Sequence, residues 1–289
     1  MKIIFTIAFI AIIWLLPEKG NAQKTESPEA VFSKAVEAVL VNSCLRKQNF
    51  GIKIHSLERN KTLYSIHSDR LFSPASNVKL LTTAMALKRL GPDYRFKTSL
   101  YATIPIDGKT LRGDISIKGF GDPNLVSEQM WLLVNELKNL PLRKVRGDII
   151  ADESFFDDNL RIKTWKKKWG VEAYNAPLGA LSFNFNTVTV YVTPGEKPGD
   201  RPVVVVDPDI EFIRVDNRAR TVSTSKRSRL IVNRVDRGSH NEITVSGVIS
   251  VNHLRETYYL NVTQPAYYAA MVFKEYLRQA GIEVTGKVR

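Results

Sequence analysis

Apolar residues first recur at helical spacing at Ala30, Val31, Ala35, Val36, Val39 and Leu40, which predicts an amphipathic helix ending near Asn42. Period two then takes over. Phe50, Ile52 and Ile54 share one face of a strand, Glu58 to Lys61 form a turn, and Thr62 to Ile66 return, predicting a β-hairpin. The next helix has the clearest limits, with Ser73 placed as N-cap, Pro74 at the first helical position and Gly91-Pro92 as the stop. Its residues Val78, Leu80, Leu81, Ala84, Met85, Leu87 and Leu90 cover most of the circumference, so the helix is expected to be buried. From about Tyr94 to Val262 the pattern becomes short alternating runs broken by Gly, Pro and Asp, at 114–118, 148–151, 187–193, 203–206 and 243–251, with one helical stretch near Glu128 to Leu137. At Pro265 the helical period returns, with Tyr268, Met271, Val272, Tyr276 and Leu277 on one side and Gly281 as the stop. Helices flanking a β-rich block predict an α+β fold. The expected division is an N-terminal part at 23–97, an inserted β-rich region at 98–262, and a helix at 263–289 returning to the first part.

The first 22 residues set the compartment. Lys2 gives a positive start, Ile3 to Leu16 an apolar run, and Gly20-Asn21-Ala22 a small-residue cleavage site before Gln23, the pattern of a secretory signal peptide. The competing reading is an uncleaved anchor, but the run is closed by Pro17 and falls short of the roughly 20 residues a spanning helix needs. An exported, periplasmic chain with no membrane span after cleavage is expected. Its only cysteine, Cys44, has no internal disulfide partner and reads as a small buried hydrophobe.

Composition narrows the picture further. With 289 residues, 44% hydrophobic and 25% charged, the chain is long enough for about two domains, and wholesale disorder, collagen and a polytopic membrane protein are excluded. A formal charge of +13 favours anionic polymers as partners. Export sets nucleic acid aside, so Lys166-Lys167-Lys168 and Lys226-Arg227-Ser228-Arg229 read as solvated faces or as attraction to anionic glycan. His55, His67, His240 and His253 lack zinc-ligand spacing and no Gly-rich phosphate loop is present, so neither metal nor organic cofactor is expected.

Ser76 and Lys79 carry the candidate chemistry. Three apart on a helix they share a face, which brings the ammonium within reach of the hydroxyl. A Lys half-buried in an apolar helix has its charged form disfavoured, and a neutral amine can take the serine proton. The bland reading is a capping Ser and a Lys whose stem lies on apolar surface. A second Ser-x-x-Lys, Ser223 to Lys226, lies in a polar, basic stretch and reads as chance.

The run Ser73-Pro74-Ala75-Ser76-Asn77-Val78-Lys79-Leu80-Leu81-Thr82-Thr83-Ala84, continuing through Leu90-Gly91-Pro92-Asp93-Tyr94-Arg95-Phe96, resembles the nucleophile helix of the penicillin-binding protein 4 family of D-alanyl-D-alanine carboxypeptidases and endopeptidases. Gly119 to Leu125, Gly147 to Asp157, Ala176 to Asn184 and the helix around Tyr267-Tyr268-Ala269-Ala270 resemble further signatures of that family in the same order. The resemblance implies a penicillin-binding, β-lactamase-like transpeptidase fold interrupted by insertions, with Ser76 as acylated nucleophile and Lys79 as its general base. It also implies peptidoglycan stem peptides as substrate and β-lactams as acylating ligands. Asp152 and Phe156 match family positions that recognise the stem peptide; as residues alone they read as a turn former and its neighbour.

The chain also departs from the family. Such enzymes complete the site with a Ser-x-Asn element and a Lys-Thr-Gly strand. No Lys-[Ser/Thr]-Gly or His-[Ser/Thr]-Gly occurs, and the Ser-x-Asn runs at Ser182, Ser239 and Ser250 all precede the last helix, whereas the family's catalytic element follows it. They read as strand or turn residues. The chain is therefore expected to stop as the transpeptidase-like domain resumes, as a natural end, a frameshift or a partial gene, with impaired activity. The expected function is a serine-type D-alanyl-D-alanine carboxypeptidase/endopeptidase. The alternatives are a non-catalytic cell-wall-binding remnant of the family and a serine β-lactamase. Nothing in the sequence speaks to oligomeric state.

Overall fold

A computed structural model of the chain describes residues 26–43, 49–162, 170–223 and 228–289. The segment 1–22 read as a signal peptide, Cys44, Lys166 to Lys168 and most of the second Ser-x-x-Lys lie outside the described residues. The chain divides into two units between Pro92 and Asp93.

The first unit opens with α1 (Pro28–Val41), whose first turn is capped by the Ser27 hydroxyl accepting from the Ala30 amide at 3.2 Å. Its Ser33, Val36 and Leu40 are half-buried, one helical face, and α1 packs on the second strand of the hairpin. That hairpin pairs β1 (Ile52–Ser56) with β2 (Lys61–Ile66) antiparallel, with an irregularity at Ile54/His55. Tyr64 is its one buried apolar side chain. A 3₁₀ turn, Ala75–Asn77, then leads into α2 (Val78–Leu90), which ends at Gly91 with φ 82°.

Two expectations fail here. Ser73 does not cap the helix. The chain enters through the 3₁₀ turn, with Ala75 at φ 43° and the Asn77 amide bonded to the Pro74 carbonyl at 2.8 Å, which leaves Ser73 outside. Nor is α2 buried: all its residues are exposed, Leu80 at 73% and Leu81 at 71%. The physical reason is a shortage of surface, because the sheet described in this unit is a two-stranded hairpin, too small to bury two helices.

The second unit is a mixed α+β fold. Its first sheet has the order β3 (Thr98–Ala102), β5 (Ile115–Gly119), β7 (Ile149–Asp152). The pair β5 and β7 is parallel, and the connection between them carries α3 (Ser127–Lys138). A short sheet joins β4 (Thr110–Leu111) and β15 (Glu283–Val284) to the two sides of β6 (Lys144–Val145). Beyond β15, Val288 bridges to Ile149 in parallel, so residues 287–289 line β7. A third sheet orders β14 (Glu256–Asn261), β8 (Thr187–Thr193) and β9 (Val203–Asp207). In the fourth, β13 (Asn241–Ser250) pairs with β12 (Arg229–Asp236), β10 (Ile213–Asn217) and β11 (Arg220–Val222).

Alternation places Ile115 and Ile117 of β5, Val188, Val190 and Val192 of β8, and Ile243 and Val245 of β13 in a common core. The last helix, α4 (Pro265–Gln279), adds Tyr268, Val272, Phe273 and Leu277 to that core and packs against β7, α3 and β15. Proline at its first position and Gly281 (φ 80°) past its end set its limits, the Ile282 amide closing on the Leu277 carbonyl at 2.8 Å. Among the described residues no helix is long and apolar enough to cross a membrane.

Candidate functional site

In the first unit, the 3₁₀ turn presents Ser76 and the first turn of α2 presents Lys79. The Lys79 Nζ stands 3.4 Å from the Ser76 Oγ, both side chains exposed. The spacing brings the two groups together as the sequence implies, at the long end of hydrogen-bond reach. Lys79 is exposed, however, and not half-buried, because α2 carries no cover among the described residues. The chemistry available to this pair is nucleophilic: a hydroxyl at a helix start with an amine beside it.

In the second unit, Asp152 ends β7 and meets Lys118 of the parallel neighbour β5, which sits directly opposite in the register. Lys118 Nζ lies 3.0 Å from the Asp152 Oδ2 and donates to the Ser154 Oγ at 2.7 Å. The Ser154 amide and hydroxyl both donate to Asp152 Oδ1, at 3.0 and 2.6 Å. Burial pushes the Asp152 carboxyl up, but the bonds from Ser154 and Lys118 together outweigh it and hold it below its ordinary range. Sequence reasoning singled out Asp152 and missed its two partners. The signal for Lys118 was present, since it occupies a polar position of the alternating run whose Ile115 and Ile117 face the core.

Phe156 follows on the same turn, its amide bonded to the Glu153 carbonyl at 3.3 Å. With Phe155 and Phe120 it forms an aromatic patch, Phe120 to Phe155 at 5.3 Å and Phe155 to Phe156 at 5.5 Å between ring centroids. Lys118 lies 5.8 Å from the Phe120 ring, within cation–π range. Phe155 and Phe156 remain exposed. Gly121 (φ 77°) is required beside this patch, because a Cβ there would stand 2.6 Å from Phe156. Between Asp152 and Phe156, Glu153 turns inward. Its Oε2 is buried without a hydrogen-bond partner, and burial followed by the nearby Asp158 raises its pKa.

Two of the Ser-x-Asn runs make contacts that hold the fold. Asn184 accepts from the Ser127 amide at 3.1 Å and so holds the start of α3, with Asn184, Phe185 and Asn186 all at positive φ. Asn241 is buried and exchanges bonds of 2.7 and 2.9 Å with Thr263. Among the described residues no group of three or more His, Cys, Asp or Glu could hold a metal ion.

The profile of the D-Ala-D-Ala carboxypeptidase 3 (S13) family matches residues 32–289. A D-alanyl-D-alanine carboxypeptidase of Actinomadura sp. (strain R39) is 29% identical over 279 residues, 94% of this chain and 50% of that protein. Among solved structures, penicillin binding protein 4 (dacB) from Haemophilus influenzae superposes with a TM-score of 0.65 at 23% identity, over 83% of this chain and 52% of that chain. The same protein complexed with a β-lactam gives a TM-score of 0.60 at 22% identity, over 87% of this chain and 54% of that chain. These superpositions speak for the fold. The chain spans about half the length of the curated relatives it matches.

Proposed function

We propose a function from one premise: the chain belongs to the D-Ala-D-Ala carboxypeptidase 3 (S13) family. The reading is a serine-type D-alanyl-D-alanine carboxypeptidase/endopeptidase of peptidoglycan, exported through the segment at 1–22 and working in the periplasm. Residues 23–97 carry the nucleophile, 98–262 are an insertion, and 263–289 lead back to the first part. The observation that carries the reading is the approach of Lys79 Nζ to Ser76 Oγ at the head of α2. In this reading Lys79 Nζ accepts the Ser76 proton as Oγ bonds to the carbonyl carbon of the penultimate D-Ala. Collapse of the tetrahedral species breaks the amide C–N bond, and the proton returns from Lys79 to the departing amine. Water then hydrolyses the acyl-Ser76 ester by the reverse proton path. Asp152 and Phe156 contribute a carboxylate and an aromatic face for the stem peptide.

The 289 residues hold no Lys-[Ser/Thr]-Gly strand. Loss of a single oxyanion donor costs about 10²- to 10³-fold in rate, so this chain assayed alone acylates slowly. The experiment is fluorescent-penicillin labelling of the folded chain, with Ser76→Ala as control and circular dichroism to verify folding. Slow labelling that disappears in Ser76→Ala supports the reading. A folded chain that never labels supports instead a non-catalytic, wall-binding protein. That second reading is favoured by one observation: every buried apolar side chain among the described residues except Tyr64 lies in the second unit.

A further inference from the structure

The second unit contains a groove of about 610 Å³ remote in sequence from Asp152 and Phe156, between α4, the start of β10 and the strand running from β15 to Val288. Its floor is apolar, with Phe212 buried beneath Tyr267 at 5.4 Å between ring centroids, and Met271 and Val288 beside them. Charge is distributed unevenly along it. Glu275 is taken up by Arg278 at 2.6 Å, and Glu283 by Lys144 at 3.0 Å. That leaves Arg214, Lys274 and Lys287 facing Glu211 as the one carboxylate on the wall not engaged by an ion pair. Lys274 spends one hydrogen on the Gly286 carbonyl at 2.7 Å, and neither Arg214 nor Lys287 has a carboxylate within 4.0 Å among the described residues. The groove is therefore a cationic rim over an apolar floor, complementary to a ligand carrying carboxylates on an apolar body.

One wall favours a peptide over a glycan. The strand β15 is the edge of its sheet, and Val288 bridges to Ile149, so among the described residues the opposite side of this stretch has no strand neighbour. An edge without a strand neighbour, with the Gly286 carbonyl accepting from Lys274, lies beside apolar pockets, the arrangement by which an extended peptide adds to a sheet, main-chain bonds giving affinity and pockets giving selectivity.

We propose that this groove binds the carboxylate-bearing stem peptide of peptidoglycan as a second, non-catalytic site, with Arg214 and Lys287 as its anion contacts. The choice of source rests on the proposed function; the complementarity to an acidic peptide rests on the groove itself. In the full chain carrying Ser76→Ala, which removes acylation, titration with purified disaccharide tetrapeptide by isothermal calorimetry gives saturable binding that weakens with added salt. Arg214→Glu with Lys287→Glu weakens it about tenfold, Arg214→Lys with Lys287→Arg retains it, and Lys109→Glu, outside the groove, leaves it unchanged. Absence of binding, or equal binding by the charge-reversed and control variants, overturns the proposal. Binding of the bare disaccharide as strongly as the tetrapeptide form also overturns it, in favour of a glycan. Penicillin labelling of Ser76 does not involve this groove. Labelling without groove binding defeats this proposal alone, and groove binding without labelling defeats the catalytic reading alone.

Discussion

Glu153 is the residue whose surroundings are least expected from its sequence neighbours. Between a well-bonded aspartate and an aromatic patch it places an unpartnered carboxylate oxygen in the interior, beneath Gly179. Because its pKa is raised on folding, the folded state keeps a proton that the unfolded chain gives up. Stability therefore falls as pH rises from the ordinary glutamate value through the raised one, and levels off above it. Asp152 has the opposite sign: its pKa is lowered, so its contribution is present at neutral pH and is lost as pH falls through the folded value. Glu153→Gln is expected to raise the melting temperature at neutral pH and to remove the decline that sets in above the ordinary glutamate value. An unchanged decline in thermal melts of that variant would rule out Glu153 as its source. At this scale the sequence was legible where spacing alone decides proximity, as for Ser76 and Lys79. It was opaque where a partner arrives from another strand, as Lys118 does to Asp152, or where burial depends on a loop crossing overhead, as for Glu153.

The helices show the same division between local and long-range causes. The first helix, α1, ends close to the expected Asn42, and α4 begins and ends close to where its Pro265 and Gly281 signals place it. The 3₁₀ entry to α2 escaped the pattern because Pro74 was read as a first helical residue, whereas Ala75 takes a positive φ. Apolar composition also misjudged the surroundings of α2, because periodicity reports which face seeks cover and not whether the cover exists. The contrast with α4 gives a quantitative expectation. Replacing exposed Leu80 and Leu81 by Lys changes the free energy of unfolding of the chain by no more than about 0.5 kcal/mol. Phe273→Ala, within the α4 core contact, costs about 3 to 5 kcal/mol. Urea denaturation followed by circular dichroism measures both, and a large loss from the α2 pair would mean that the helix is covered in solution.

On the scale of the whole molecule, the β-rich middle region was legible as strands but its sheet orders were not, since alternation fixes a strand's faces and leaves its neighbours open. The observed packing boundary lies at Pro92/Asp93, and α4 shares the core of the strands that precede it. A fragment of residues 93–289 is accordingly expected to fold alone and to melt where the full chain has its main transition, by calorimetry; an unfolded fragment would show that the first unit is needed. The register of that unit has a consequence in time. Lys144 meets Glu283, and Asp148 meets Lys287, each across 139 residues. Until those late residues leave the ribosome, β6 lacks one of its two partners and β7 its outer one. Contacts of such sequence separation form slowly. Until residues 283–289 are made, the nascent chain thus stays open at β6 and β7, and those residues act as the latch that closes this unit.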